Sequence, residues 1–199
     1  MKNIVFDLGG VVFSRNYKQC SPDMAILWEA ILSESTPTFW LDFDRGILTW
    51  EATIEAIAKQ TNLSTTRSRE ILQEALDITQ AVPQTCQLIN DLKQNNYKLF
   101  VLSNMSKYFI DTLHKHPIFK LFDGEIISCY YNLVKPEPEI YQLLLNKFQL
   151  QPTETLFIDD KPENTKAAEA FGISTILFDR QHPEISCKQI HQFLLNHKL

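Results

Sequence analysis

From Pro83 onward the chain alternates between two periodicities, and this alternation restricts the fold more than any other feature of its 199 residues. Apolar residues recur at helical spacing over 84–95, 107–115, 137–148, 164–171 and 184–196. Between these segments lie short β-branched and aromatic runs at 97–102, 124–128, 155–158 and 174–178. A strand that passes through a helix before the next strand joins it in parallel, by a right-handed crossover. The segment therefore predicts an α/β fold with a Rossmann-like, three-layer arrangement in which helices cover both faces of a parallel sheet.

A further strand is expected near residue 1. Ile4, Val5 and Phe6 form a continuous apolar run that ends in Asp7-Leu8-Gly9-Gly10, as a strand covered on both faces would. The glycines let the backbone turn and approach a ligand closely. A carboxylate at the carboxyl end of such a strand faces the crevice where open α/β sheets bind ligands, so Asp7 is a candidate nucleophile, with a simple turn cap as the alternative. The pattern then becomes helical over 25–32, 50–59 and 69–78, with Thr49 and Ser64 as candidate caps and no convincing strand. Residues 16–81 are thus expected to form an inserted all-helical subdomain overhanging Asp7, on a core made of 1–15 and 82–199.

Composition removes several function classes. A net charge of −5 lacks the basic stripe that neutralises phosphates, which argues against nucleic-acid partners. The first apolar run is broken at Asp7 and no stretch reaches membrane-spanning length, so a cytoplasmic protein without a membrane partner is expected. Cys20, Cys86, Cys129 and Cys187 stand singly, without the pairing of a zinc or redox motif.

Three further polar groups fall near strand ends. Asp159 and Asp160 follow the run Leu156-Phe157-Ile158 and precede a helix. If the sheet is parallel they share an edge with Asp7, and three converging carboxylates call for a cation; hard oxygen ligands of this kind suit magnesium. A pair of helix-capping aspartates is the alternative. Lys135 lies between Val134 and Pro136, which holds it extended, and Pro138 suits the first turn of the next helix. An ammonium so placed can neutralise a carboxylate and a phosphoryl oxygen, although most lysines of the chain are surface lysines. Ser103 and Asn104 lie between a strand and a helix, where anions bind readily.

Phe-Asp-Leu-Gly-Gly-Val from Phe6, Leu-Ser-Asn from Leu102, Val-Lys-Pro-Glu-Pro-Glu-Ile-Tyr from Val134 and Phe-Ile-Asp-Asp from Phe157, with Asn164 after it, resemble in order the four motifs of the haloacid dehalogenase-like hydrolases. The resemblance spans essentially the whole chain. It implies a Rossmann-like core with a helical cap inserted after the first strand. It also implies magnesium-dependent hydrolysis of a small phosphorylated metabolite through an aspartyl-phosphate. By the resemblance Asp7 attacks phosphorus and Lys135 holds charge, while Ser103 and the Asn104 amide bind phosphoryl oxygens. Asp160 ligates magnesium beside Asp7 and the Gly9 carbonyl, with Asp159 and Asn164 supporting.

One departure bears on chemistry. Phosphatases of that family usually carry a second aspartate two residues after the nucleophile, which protonates the leaving group; here Gly9 stands there. A positioned acid/base contributes ~10²–10⁴ in rate, so esters with good leaving groups, such as sugar 1-phosphates, acyl phosphates and aryl phosphates, are the expected substrates unless another group substitutes. Asp42, Asp44 and Arg45, in residues 40–46, are candidates to face the site from a loop between cap helices, with a solvated helix end as the alternative. Dehalogenation of 2-haloacids, and a binding protein without turnover, are the competing readings. Oligomeric state stays open.

Overall fold

The computed structural model describes residues 1–16, 20–32 and 36–197; residues 17–19 and 33–35 of the expected helical block lie outside these. Five parallel strands form the central sheet: β1 (Asn3–Phe6), β4 (Lys98–Ser103), β5 (Gly124–Ile127), β6 (Thr155–Asp159) and β7 (Ser174–Leu177), in the order β5-β4-β1-β6-β7. The chain leaves β1 for β4 and β5 on one side, then returns to place β6 and β7 on the other. Strand order thus reverses around β1, the kind of switch point where α/β sheets open a crevice at their carboxyl ends. Register aligns that edge: Phe6 is opposite Val101 on β4 and Ile158 on β6.

The intervening helices are α5 (Pro83–Gln94), α6 (Lys107–Leu113), α7 (Pro138–Phe148), α8 (Pro162–Glu169) and α9 (Pro183–Asn196). Their ends fall within a residue or two of the spacing-based expectation. Proline opens α5, α7, α8 and α9, at the turn whose backbone N–H would have no helical partner anyway. The sheet divides two apolar cores, as alternation along β1 requires. Val5 packs with Phe100, Leu102 and Phe157 against Ile140, Tyr141 and Leu144 of α7. Ile4 and Phe6 face the other way, into a core that continues without a break from α5 into the helices that precede α5.

Those helices are α1 (Pro22–Leu32), α2 (Thr38–Asp44), α3 (Trp50–Thr61) and α4 (Thr65–Asp77). Thr49 and Ser64 cap α3 and α4 as expected, accepting from the N–H of Ala52 at 3.2 Å and of Arg67 at 3.1 Å. Two expectations for this block need correction. It is not purely helical, because β2 (Phe13–Arg15) pairs antiparallel with β3 (Thr79–Ala81) where the chain enters and leaves it. Strands of three residues are too short to show an alternation. Residues 40–46 are also not a loop, since α2 carries them as far as Asp44. Trp40 and Phe43 of α2 bury against Phe109, with ring centroids 6.3 and 6.4 Å away, and Trp40 also packs on Trp28 at 5.4 Å. That tertiary packing holds a helix too short to be stable alone.

Candidate active site

Asp7 is the first residue beyond β1, and its backbone N–H still bonds the Ile158 carbonyl of β6 at 2.9 Å. The carboxylate is therefore fixed at the sheet edge. Gly10 follows with φ +83°, and a Cβ there would meet Asp160 Oδ2 at 2.5 Å, so only glycine lets the turn pass this close to the second acid. Gly9 differs. A Cβ at that position would touch nothing, so packing does not impose its missing side chain.

Lys135 organises the buried charges. Its Nζ donates to Asp7 Oδ1 at 2.8 Å, to Asp159 Oδ2 at 2.5 Å and to the Leu102 carbonyl at 2.9 Å, which uses all three of its hydrogens. Burial works against its charge, but Asp159 and Asp7 keep it protonated beyond the ordinary lysine range. Asn104 holds the lysine backbone from both sides: its side chain accepts from the Lys135 N–H at 2.7 Å and donates to the Lys135 carbonyl at 2.9 Å. The Asn104 side chain thus serves the lysine.

Asp159 is fully buried, and its second oxygen accepts from the Lys161 N–H and from Asn164 Nδ2, each at 2.9 Å. Tyr141 completes the chain by donating its hydroxyl to the Asn164 carbonyl at 2.9 Å. Asp159 is saturated by protein donors, whereas Asp160 has only Arg180 at 3.5 Å among the described residues. The carboxylates of Asp7, Asp159 and Asp160 each bring an oxygen within 4.8 Å of the others, an arrangement able to hold a metal ion. Burial, with Asp7 and Asp159 adding repulsion, pushes Asp160 up to about 7. Burial also raises Asp7 above the usual carboxylate range, against the pull of Lys135. The Ser103 hydroxyl is buried beside Asp7 with no hydrogen bond of good geometry among the described residues.

Asp7, Gly9, Asn104, Lys135, Asp160 and Asn164 line one cavity of about 640 Å³, whose opposite wall includes Trp28, Trp40 and Asp44 from α1 and α2. Of the three candidates in residues 40–46, only Asp44 reaches it. Arg45 turns away and forms a bidentate pair with Glu137 at 2.7 and 2.8 Å, while Asn132 Nδ2 donates to the Arg45 carbonyl at 3.0 Å. Asp42 accepts through its carbonyl from Ile47 and Leu48, closing the end of α2. Sequence reasoning assigned no role to Arg15, Lys161 or Arg180, all of which line the cavity. Position after β7 was the one signal available for Arg180.

The Arg45 pair ties α2 to the loop that carries Lys135. Charge-assisted bidentate bonds of this exposure contribute more than a single surface pair. Arg45→Ala is expected to lower stability by about 1–2 kcal/mol, read from thermal unfolding. Arg45→Lys should recover less than half of that, since a lysine cannot reproduce the planar fork; full recovery would show that charge alone matters.

Comparison with known proteins bears on the family and the fold. The mouse protein "Acyl-CoA dehydrogenase family member 10" is 28% identical over 210 residues, covering 96% of this chain and 19% of that protein. The chain therefore spans about a fifth of that relative's length. "Sesquiterpene phosphatase astK" of Aspergillus oryzae is 26% identical over 174 residues, covering 86% of this chain and 87% of its own. "(S)-2-haloacid dehalogenase 4A" of Burkholderia cepacia is 24% identical over 114 residues, 57% of this chain and 49% of its own. Among solved structures, an alanine-substituted HAD family enzyme of Bacteroides thetaiotaomicron, in complex with magnesium and inorganic phosphate, superposes with a TM-score of 0.76. It is 22% identical and covers 90% of this chain and 95% of its own, which shows a shared fold. The sequence profile of the haloacid dehalogenase-like hydrolases matches residues 1–172, a span that takes in Asp7, Ser103, Lys135 and the Asp159-Asp160 pair together, and the chain belongs to that family of hydrolases.

Proposed function

We propose that this hydrolase is a magnesium-dependent phosphatase acting on a small phosphorylated metabolite through an aspartyl-phosphate formed on Asp7, with residues 16–81 serving as its cap. One observation carries the reading: three carboxylates crowd a single buried lysine, which leaves an excess of negative charge at the sheet edge. Dense hard-oxygen ligands suit magnesium, which keeps several waters and binds substrate phosphate. Asp7, Asp160 and the Gly9 carbonyl would hold it, with Asp159 and Asn164 behind. When bound, magnesium withdraws charge from the phosphoryl oxygens. A relative named as a phosphatase and a fold neighbour crystallised with magnesium and phosphate support the same reading.

The remaining work falls to the chain's own groups. Asp7 attacks phosphorus, Lys135 orients it and offsets charge on a phosphoryl oxygen, and the Ser103 hydroxyl and Asn104 amide receive the other oxygens. Water then attacks phosphorus, releasing phosphate and restoring the Asp7 carboxylate. Gly9 supplies no proton to the leaving group, so aryl phosphates, acyl phosphates and sugar 1-phosphates are the esters least dependent on a donor elsewhere. Cys86, Cys129 and Cys187 are free thiols, which fits the cytoplasmic setting we propose, and no helix among the described residues is long and apolar enough to cross a membrane.

Phosphate release from a panel of aryl, acyl, sugar 1- and primary phosphates tests the reading. Turnover is expected to fall at least ~10²-fold with a chelator and to return with magnesium, since the ion carries a large share of the transition-state charge. The dehalogenase relative keeps a second reading open. Chelator-insensitive halide release from a 2-haloacid, with no phosphate release from any ester, would replace the first reading with the second.

A further inference from the structure

Position 9 offers no proton donor. Gly9 has no side chain, and all three hydrogens of Lys135 are committed to Asp7, Asp159 and Leu102. Apart from Asp7 and Asp160, the carboxylates lining the cavity among the described residues are Glu29, which is exposed on α1, and Asp44. Asp44 is held in place from several directions. Its Oδ1 accepts from the Ser106 N–H at 3.1 Å, and its carbonyl accepts from the Ser128 hydroxyl at 2.5 Å. Ser128 is fully buried and its oxygen also accepts from the Met105 N–H at 2.8 Å, joining the end of α2 to the loop after β4. Gly46, at φ +79°, lets the chain turn so close behind Asp44 that a Cβ would meet the Cys129 carbonyl at 2.6 Å.

On the phosphatase reading above, we propose that Asp44 is the general acid and base of the reaction, supplied from α2 in place of the carboxylate missing at position 9. As Asp7 attacks, the bond from phosphorus to the leaving oxygen breaks, and that oxygen takes the proton of the Asp44 carboxylic acid and departs as an alcohol. The Asp44 carboxylate then takes a proton from water as the water oxygen bonds to phosphorus and the Asp7–phosphorus bond breaks. Asp44 ends protonated and Asp7 ends as a carboxylate.

The charges around Asp44 are compatible with both states. Burial, with Asp7 adding repulsion, pushes it up to about 7, while Arg15 from β2, Lys161 from the loop after β6 and the Ser106 N–H pull it down. Cys129 behind it is itself pushed up to about 11 by burial, with Asp44 adding to the effect, so the thiol stays neutral.

The test compares wild type and Asp44→Asn on 4-nitrophenyl phosphate and a primary alkyl phosphate, with magnesium, by rapid-mixing kinetics. In the variant, phosphorylation of the enzyme by the alkyl ester should slow by ~10²–10⁴. The first equivalent of nitrophenolate should still appear within tenfold of the wild-type rate, followed by slow turnover, because nitrophenolate leaves without a proton. Equal losses on the two esters, as a structural role predicts, or no loss on either, would overturn the assignment. Wild type gives an independent reading if the variant does not fold: enzyme phosphorylation by the alkyl ester should fall above about pH 7 and that by the aryl ester should not; matching profiles overturn the proposal equally. Absence of magnesium-dependent phosphate release from wild type would instead count against the phosphatase reading.

Discussion

Asp7→Asn is expected to abolish phosphatase turnover while leaving a folded protein. Asparagine matches aspartate in shape but offers no anionic oxygen to phosphorus, and loss of a covalent nucleophile typically costs on the order of 10⁴ or more in kcat. Folding should survive, because Lys135 keeps the Asp159 carboxylate and the Leu102 carbonyl as partners. The measurement is release of nitrophenolate from 4-nitrophenyl phosphate, alongside the near- and far-ultraviolet circular dichroism of both proteins. Turnover within tenfold of wild type, in a protein with native spectra, would show that another group attacks phosphorus. Retained tight binding of phosphate esters by the inactive variant would separate catalysis from recognition.

The residues of this site were legible in the sequence because strand ends in a parallel sheet are legible. Continuous apolar runs such as Leu156-Phe157-Ile158 mark buried strands, and the polar residue that ends each run must lie at the carboxyl edge. The same reasoning could not show how the edge is wired. Asn104 holds the backbone of Lys135 from 31 residues away, and Arg45 pairs with Glu137 from 92 residues away. Separations of that size leave no local pattern. β2 and β3 were missed because three residues give no periodicity, and α2 because seven residues become helical only where Trp40 and Phe43 find their aromatic neighbours. Asp44 was visible as a candidate beside Asp42 and Arg45. Choosing among them required knowing which way α2 rolls against the core, which side-chain packing decides.

Lys135→Met should be the most destabilising single change at the site. Methionine fills a similar volume, but it leaves Asp7 and Asp159 buried against each other with no cation between them; the lysine side chain is 1% exposed and theirs are 10% and 0%. Removing one partner of a buried ion pair costs about 3–5 kcal/mol, most of it the cost of the charge left behind. The penalty should depend on pH, and its sign follows from Asp7, which burial already raises above the ordinary range against the opposing pull of Lys135. Without the lysine that rise is larger. A carboxylate raised in the folded state keeps its full stability below the unfolded value of ~3.9 and loses it as pH rises through the folded value. The difference between wild type and variant should therefore be largest near pH 8 and shrink as pH falls toward 5, in chelator so that no metal takes the place of the ammonium. Urea unfolding at the two pH values measures it. A penalty below about 1 kcal/mol at pH 8, or one that does not change with pH, would mean that Asp7 carries no charge for Lys135 to offset in the native protein. In that case the excess negative charge that calls for magnesium would be absent as well.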